Sequence, residues 1–165
     1  DLWPDQKGGI YFSDPKYAQD PKLPQGGEHV YYIKPDSSVV RVTDDLKKPN
    51  GVIGTPDGKI LYITDTELDK TFRYNIKENG TLVGKELLID KGSDGMTLDT
   101  NGNLYLTTIS NNQVEVYSSK GEKITSVELP EKPSNVCFGG KENDELYITA
   151  RTSLYRVKTN TQGVN

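Results

Sequence analysis

Three short stretches place oxygen-bearing side chains at matching positions: "KPNGV" (48–52), "GSDGM" (92–96) and "KPSNV" (132–136). In each, one such residue (Asn50, Asp94 or Ser134) stands roughly ten residues ahead of a segment that reads apolar–Tyr–apolar. Amide and carboxylate oxygens suit a hard cation such as Ca²⁺. A cation held between them could polarise a carbonyl, and a carboxylate beside it could serve as a base. That chemistry requires residues far apart in the chain to converge on one spot. The same residues have a plainer reading, because Asn-Gly and Asp-Gly are common turn dipeptides.

What would bring them together is a repeat. "KGGIYFS" (7–13), "DGKILYIT" (57–64), "NGNLYLT" (101–107) and "NDELYIT" (143–149) recur at intervals of roughly 40–50 residues, the size of a propeller blade. Each Tyr segment is followed by a second alternating run: "HVYYIKPD" (29–36), "TFRYNIKENG" (71–80), "QVEVYSSKG" (113–121) and "SLYRVKTN" (153–160). The first three units add a third run, at 38–46, 81–90 and 122–130. A short apolar piece precedes each Tyr segment, at 2–4, 51–56, 95–99 and 135–140. Alternation bounded by Gly, Asp, Asn and Pro is the signal of strands. The pattern predicts an all-β chain: a β-propeller of about four four-stranded blades, with each Tyr segment as a buried inner strand. A β-sandwich would also show short strands, but it would not return one motif at near-constant spacing. Because four such units do not fill a six-bladed ring, residues 1–165 read as one partial propeller domain.

Composition narrows the function. With 20 Lys and Arg against 24 Asp and Glu, the net charge of −4 disfavours a nucleic-acid partner, and no basic patch interleaved with aromatics occurs. No apolar run approaches the ~20 residues of a membrane-spanning helix, so no membrane partner is expected. The single cysteine, Cys137, excludes an internal disulfide and a paired-cysteine zinc site. The compartment stays open.

"DLWPDQKGGIYFSDPKY", "KPNGVIGTPDGKILYITDT", "SDGMTLDTNGNLYLTT" and "PSNVCFGGKENDELYITA" together resemble the SMP-30/gluconolactonase/LRE family of six-bladed propeller lactonases, from Asp1 to about Lys158. The resemblance implies a metal-dependent carboxylic ester hydrolase that opens sugar lactones such as gluconolactone. It carries one divalent cation, Ca²⁺ or alternatively Zn²⁺, at the channel mouth. It places a metal-ligand asparagine on Asn50, and a ligand and general base on Asp94. Two further ligands of the family, a first-blade glutamate and the asparagine of a "PND" motif, have no counterpart in this chain. The resemblance therefore implies the last four blades or so, with the N-terminal blades as a necessary partner. The rival reading is a non-catalytic propeller scaffold, or a fragment inactive without those blades.

Ser134 and His29 are the remaining candidates for the substrate pocket. Ser134 stands at the level of Asn50 and Asp94, while His29, the only histidine, ends the long loop 15–29. Cys137 is expected to pack in an inner strand, and Trp3 between blades. "DTNGN" (99–103) reads as a hairpin turn, its spacing being wrong for a Ca²⁺ loop. "NGT" (79–81) fits a glycosylation sequon.

Overall fold

In a computed structural model, residues 1–17 and 25–164 are described, and they form fifteen β-strands and no helix. The strands build four antiparallel meander sheets in chain order. The first holds β1 (Leu2–Pro4), β2 (Ile10–Asp14), β3 (His29–Ile33) and β4 (Val39–Thr43). The second holds β5 (Pro49–Gly54), β6 (Ile60–Asp65), β7 (Lys70–Ile76) and β8 (Leu82–Ile89). The third holds β9 (Ser93–Leu98), β10 (Leu104–Thr108), β11 (Gln113–Tyr117) and β12 (Lys123–Glu128). The fourth has three strands, β13 (Pro133–Gly139), β14 (Glu145–Ala150) and β15 (Ser153–Lys158). The four sheets are blades in a propeller arrangement.

Alternation along the strands explains how the blades stack. One face of β6 sends Leu61 and Ile63 towards the first sheet, where they pack with Tyr11, Val30 and Tyr32. The opposite face sends Tyr62 towards the third sheet, to meet Met96, Leu98, Leu104 and Leu106. Tyr105, on the far face of β10, joins Val136, Phe138, Leu146 and Ile148 of the fourth sheet. Three apolar seams thus join four blades. Each fully buried Leu or Ile in them contributes ~1.5–3 kcal/mol. Trp3 lies in the seam between the first two blades, stacked on Tyr11 at 5.8 Å between ring centroids. It rests on Gly54, where an added Cβ would fall 2.3 Å from its ring.

The Tyr strands are not the innermost ones. β2, β6, β10 and β14 are second from the axis, and the short apolar pieces β1, β5, β9 and β13 form the inner strands. The inner strands contact one another directly from blade to blade. β10 is buried at all five residues, as a strand flanked on both edges and both faces should be, and the inner strand β5 is buried at all six of its own. Cys137 also departs from expectation: it is exposed, because Val136 and Phe138 take the buried face of β13 and the residue between them must take the other. The turn at 99–103 is present as read. Asp99 is buried and accepts from the backbone N–H groups of Asn101 and Asn103, and Gly102 supplies a φ of 78°.

Candidate functional site

Three of the inner strands, β5, β9 and β13, enter their blades through a β-bulge, and the three bulges are equivalent. Asn50 and Gly51 together face Thr64, since Pro49 pairs with Asp65 and Val52 with Ile63. Asp94 and Gly95 face Thr107 in the same way, and Ser134 is the extra residue beside the Asn135–Thr149 pair. A bulge re-aims side chains out of the strand's strict alternation. Here it turns Asn50 and Asp94 to one end of the inner strands.

Hydroxyl groups hold these bulges. The Thr64 hydroxyl accepts from the Gly51 N–H at 2.8 Å and donates to the Ser93 carbonyl of the next blade at 2.7 Å. The Thr107 hydroxyl accepts from the Gly95 N–H at 2.9 Å and donates to the Ser134 carbonyl, again one blade on, at 3.2 Å. Ser13 makes the same crossing from the first blade, donating to the Asn50 carbonyl. In the fourth blade Thr149 accepts from the Asn135 N–H at 3.1 Å. A ladder of side-chain hydroxyls therefore fixes each inner strand against its neighbour at the height of the candidate residues.

The glycines of the NG and DG pairs serve this packing, not a turn. Neither Gly51 nor Gly95 has a left-handed φ. A Cβ on Gly95 would fall 2.8 Å from the Asn135 Cα, and one on Gly51 would fall 3.2 Å from the Asp94 carbonyl oxygen. Turn formation is thus excluded as the reason for these residue types.

One turn clamps the loops that lead into both bulges. The buried Asp65 carboxylate accepts from the backbone N–H groups of Lys47 at 2.6 Å and Lys48 at 3.2 Å, just ahead of Asn50. Four residues on, Asp69 accepts from the Gly92 N–H at 2.8 Å, just ahead of Asp94. Asp65 closes β6 and Asp69 ends the turn into β7, so the approaches to Asn50 and Asp94 share one anchor.

The result is a direct contact. Asn50 Nδ2 donates to Asp94 Oδ1 at 2.8 Å, across 44 residues of sequence. Its second N–H donates to the Tyr17 hydroxyl at 2.9 Å. Asn50 is buried, while Asp94 is partly open to a cleft of ≈ 460 Å³ that is also lined by Tyr17, Lys48, Glu67 and Lys132. Lys48 Nζ lies 5.1 Å from the centre of the Tyr17 ring, a cation–π contact. Burial, followed by the field of Asp94, raises the Tyr17 phenol above its ordinary pKa, with the Asn50 bond working the other way.

The structure brings Asn50 and Asp94 together and leaves the other two candidates outside the cleft lining. The Ser134 hydroxyl is bonded to Thr149 Oγ1 at 2.9 Å. His29 is buried at the start of β3, its Nε2 3.4 Å from an Arg41 nitrogen. Residues 18–24 of the loop 15–29 lie outside the described residues. Sequence reasoning missed Tyr17, Lys48 and Lys132. The lysines had a visible signal, because each stands two residues ahead of a bulge residue in "KPN" and "KPS".

Asn50 and Asp94 fit as two members of a hard-cation ligand set, being oxygen-bearing, adjacent and partly solvent-accessible. Among the described residues no group of three or more His, Cys, Asp or Glu converges, so further oxygens would have to come from water or from elsewhere.

Comparison with known proteins agrees on fold and family. The family profile described as SMP-30/Gluconolactonase/LRE-like region matches residues 1–152. The gluconolactonase of Zymomonas mobilis is 28% identical over 183 residues, covering 99% of this chain and 51% of that protein. A solved gluconolactonase from Xanthomonas campestris superposes with a TM-score of 0.84 at 27% identity, over 95% of this chain and 55% of that one. A calcium-binding protein, regucalcin, from Agrobacterium tumefaciens shares the fold, with a TM-score of 0.84 at 20% identity over 99% of this chain and 61% of that one. The chain spans about half the length of the curated gluconolactonase it matches.

Proposed function

Because the chain belongs to the SMP-30/gluconolactonase/LRE-like family, we propose that it supplies the base-bearing part of a hydrolase that opens sugar lactones. In this reading the four sheets are an arc of a larger propeller, completed by blades outside this sequence. The observation that carries the reading is the 2.8 Å contact between Asn50 and Asp94 at the mouth of a cleft. Asp94 has a carboxylate oxygen free of Asn50 with which to accept a proton from an attacking water. Asn50 holds that carboxylate in place without adding charge. The same two residues would hold a divalent cation, Ca²⁺ by the hardness of its donors and Zn²⁺ as the alternative. When bound, the cation would polarise the lactone carbonyl and stabilise the developing oxyanion. A structural neighbour described as calcium-binding supports the choice of a hard ion.

The test is base-titrated acid release from gluconolactone by the protein in its natural full-length context. Asp94→Asn should lower kcat by roughly 100-fold or more, with the circular dichroism spectrum unchanged. Chelation should abolish turnover, and added divalent cation should restore it. Hydrolysis that survives both chelation and Asp94→Asn would refute the assignment. Partner binding that survives them, with no lactone hydrolysis in the unmodified protein, would identify a scaffold instead.

A further inference from the structure

The cleft beside Asp94 carries two ammonium groups that the proposed hydrolysis does not use. Lys48 and Lys132 each stand two residues ahead of a bulge residue, Asn50 and Ser134, in blades that flank the blade of Asp94 on either side. The intervening blade has Gly92 at this place. Both lysines line the same ≈ 460 Å³ cleft. Neither makes an ion pair among the described residues, whereas Lys70, Lys85, Lys91 and Lys123 each hold a carboxylate. Lys48 is further fixed by its place over the Tyr17 ring and by the Asp65 clamp on its own backbone N–H.

Tyr17 adds a third donor. An amide NH₂ only donates, so the Tyr17 oxygen accepts from Asn50 and its own proton remains available to a ligand. Two carboxylates also line the cleft. Asn50 donates to one oxygen of Asp94 but leaves its charge, so Asp94 and Glu67 both oppose an entering anion, and Lys48 and Lys132 must outweigh them where the anion sits.

We infer that this cleft selects lactones bearing a second, anionic substituent, a carboxylate or a phosphate, which Lys48 and Lys132 hold while the Tyr17 hydroxyl donates to it. The inference rests on the lactone-hydrolase reading for the reaction, but not for the binding. Two hydrogen bonds from charged donors are enough for a preference of at least tenfold.

The experiment uses the protein in its natural full-length context. Values of kcat/KM are compared for gluconolactone, its 6-phosphate and a carboxylate-bearing glucarolactone. At least one anionic lactone should exceed the neutral one by tenfold or more, and the pair shows whether carboxylate or phosphate is the better match. The ratio should fall towards one in Lys132→Gln and Lys48→Gln, persist in Lys132→Arg, rise in Glu67→Gln and shrink with added salt. In parallel, calorimetry measures binding of 6-phosphogluconate, the ring-opened product, to the unmodified, Lys48→Gln and Lys132→Gln proteins. If no lactone is hydrolysed but 6-phosphogluconate binds and loses affinity in Lys132→Gln, the hydrolase reading fails and the anion site stands. Equal or better turnover of the neutral lactone, or product binding indifferent to both lysines, overturns the inference.

Discussion

Replacing Thr64 by valine tests whether the hydroxyl ladder, not apolar packing, sets the position of the site. Thr64 is fully buried, and its hydroxyl accepts from the Gly51 N–H at 2.8 Å and donates to the Ser93 carbonyl at 2.7 Å. Valine keeps the shape and the β-branch, so no cavity forms. It leaves the Gly51 N–H without that acceptor and deprives the Ser93 carbonyl of its cross-blade donor. A buried donor left unpaired costs about 1–3 kcal/mol, and the lost second bond about 1 more, so Thr64→Val should destabilise by about 2–4 kcal/mol. Thr64→Ser keeps both bonds and removes one methyl group, at about 1 kcal/mol. Urea denaturation reads the difference: with a slope of about 2 kcal/mol/M, the valine midpoint should fall by roughly 1–2 M and the serine midpoint by about 0.5 M. Strand propensity and hydrophobicity alone would rank valine above serine. A valine variant as stable as the parent, or more stable than the serine variant, would refute the ladder.

Gly95→Ala should destabilise by about 1–3 kcal/mol in the same assay, because a Cβ there would meet the backbone of the next inner strand. It should also depress lactone hydrolysis, whereas Gly58→Ala, on a turn with open space around it and a φ of 66°, should cost stability alone. Asn50→Asp would set a second carboxylate against Asp94. Its melting temperature should fall at pH 7, recover on acidification, and rise more than the parent's on adding a divalent cation. Glu115 is pushed up by burial, but hydrogen bonds from Lys123 and Tyr117 outweigh this and hold its carboxyl below the usual value. A lowered folded value gives stability that is present above the unfolded value, near ~4.3, and is lost as the pH falls through the folded one. Glu115→Gln should therefore be less stable than the parent at pH 7, with the gap closing below about pH 4 in pH-dependent urea denaturation.

The repeat was legible because blade stacking writes itself into sequence twice, as a spacing and as a period-2 alternation. Asn50 and Asp94 were legible because equivalent places in equivalent blades must be close in space. Which strand lies innermost was not, since β5, β9 and β13 carry the Asn, Asp, Ser and Gly of their bulges and so read as turn residues, while the second strands carry the clearer apolar signal. The hydroxyl ladder was hidden for a related reason. Ser13, Thr64, Thr107 and Thr149 each stand two residues after the tyrosine of their strand, but Ser and Thr near a strand end also fit a simple polar boundary. Cys137 was open to the alternation rule, because a residue between two buried neighbours on one strand faces the opposite side. Tyr17 stands at the start of the loop 15–29, but nothing in the sequence says that its hydroxyl meets the Asn50 amide.

The bulges give a physical reason for chemistry to collect at this end of the blades. In a regular inner strand, a residue facing the channel is tied to a neighbour facing the core, so changing one disturbs the other. The extra residue of a bulge is released from that alternation. The hydroxyls hold backbone atoms here, the Gly51 and Gly95 N–H groups and the Ser93 and Ser134 carbonyls, so the bulges keep their places whatever side chains stand on Asn50 and Asp94. The site side chains are thereby uncoupled from the seams that hold the blades together. It follows that Asp94→Ala should remove function at little cost in stability, within about 1 kcal/mol of the parent by urea denaturation. A loss as large as that expected for Thr64→Val would mean that the Asn50–Asp94 contact is itself a structural tie, and that the cleft owes its shape to the residues assigned to its chemistry.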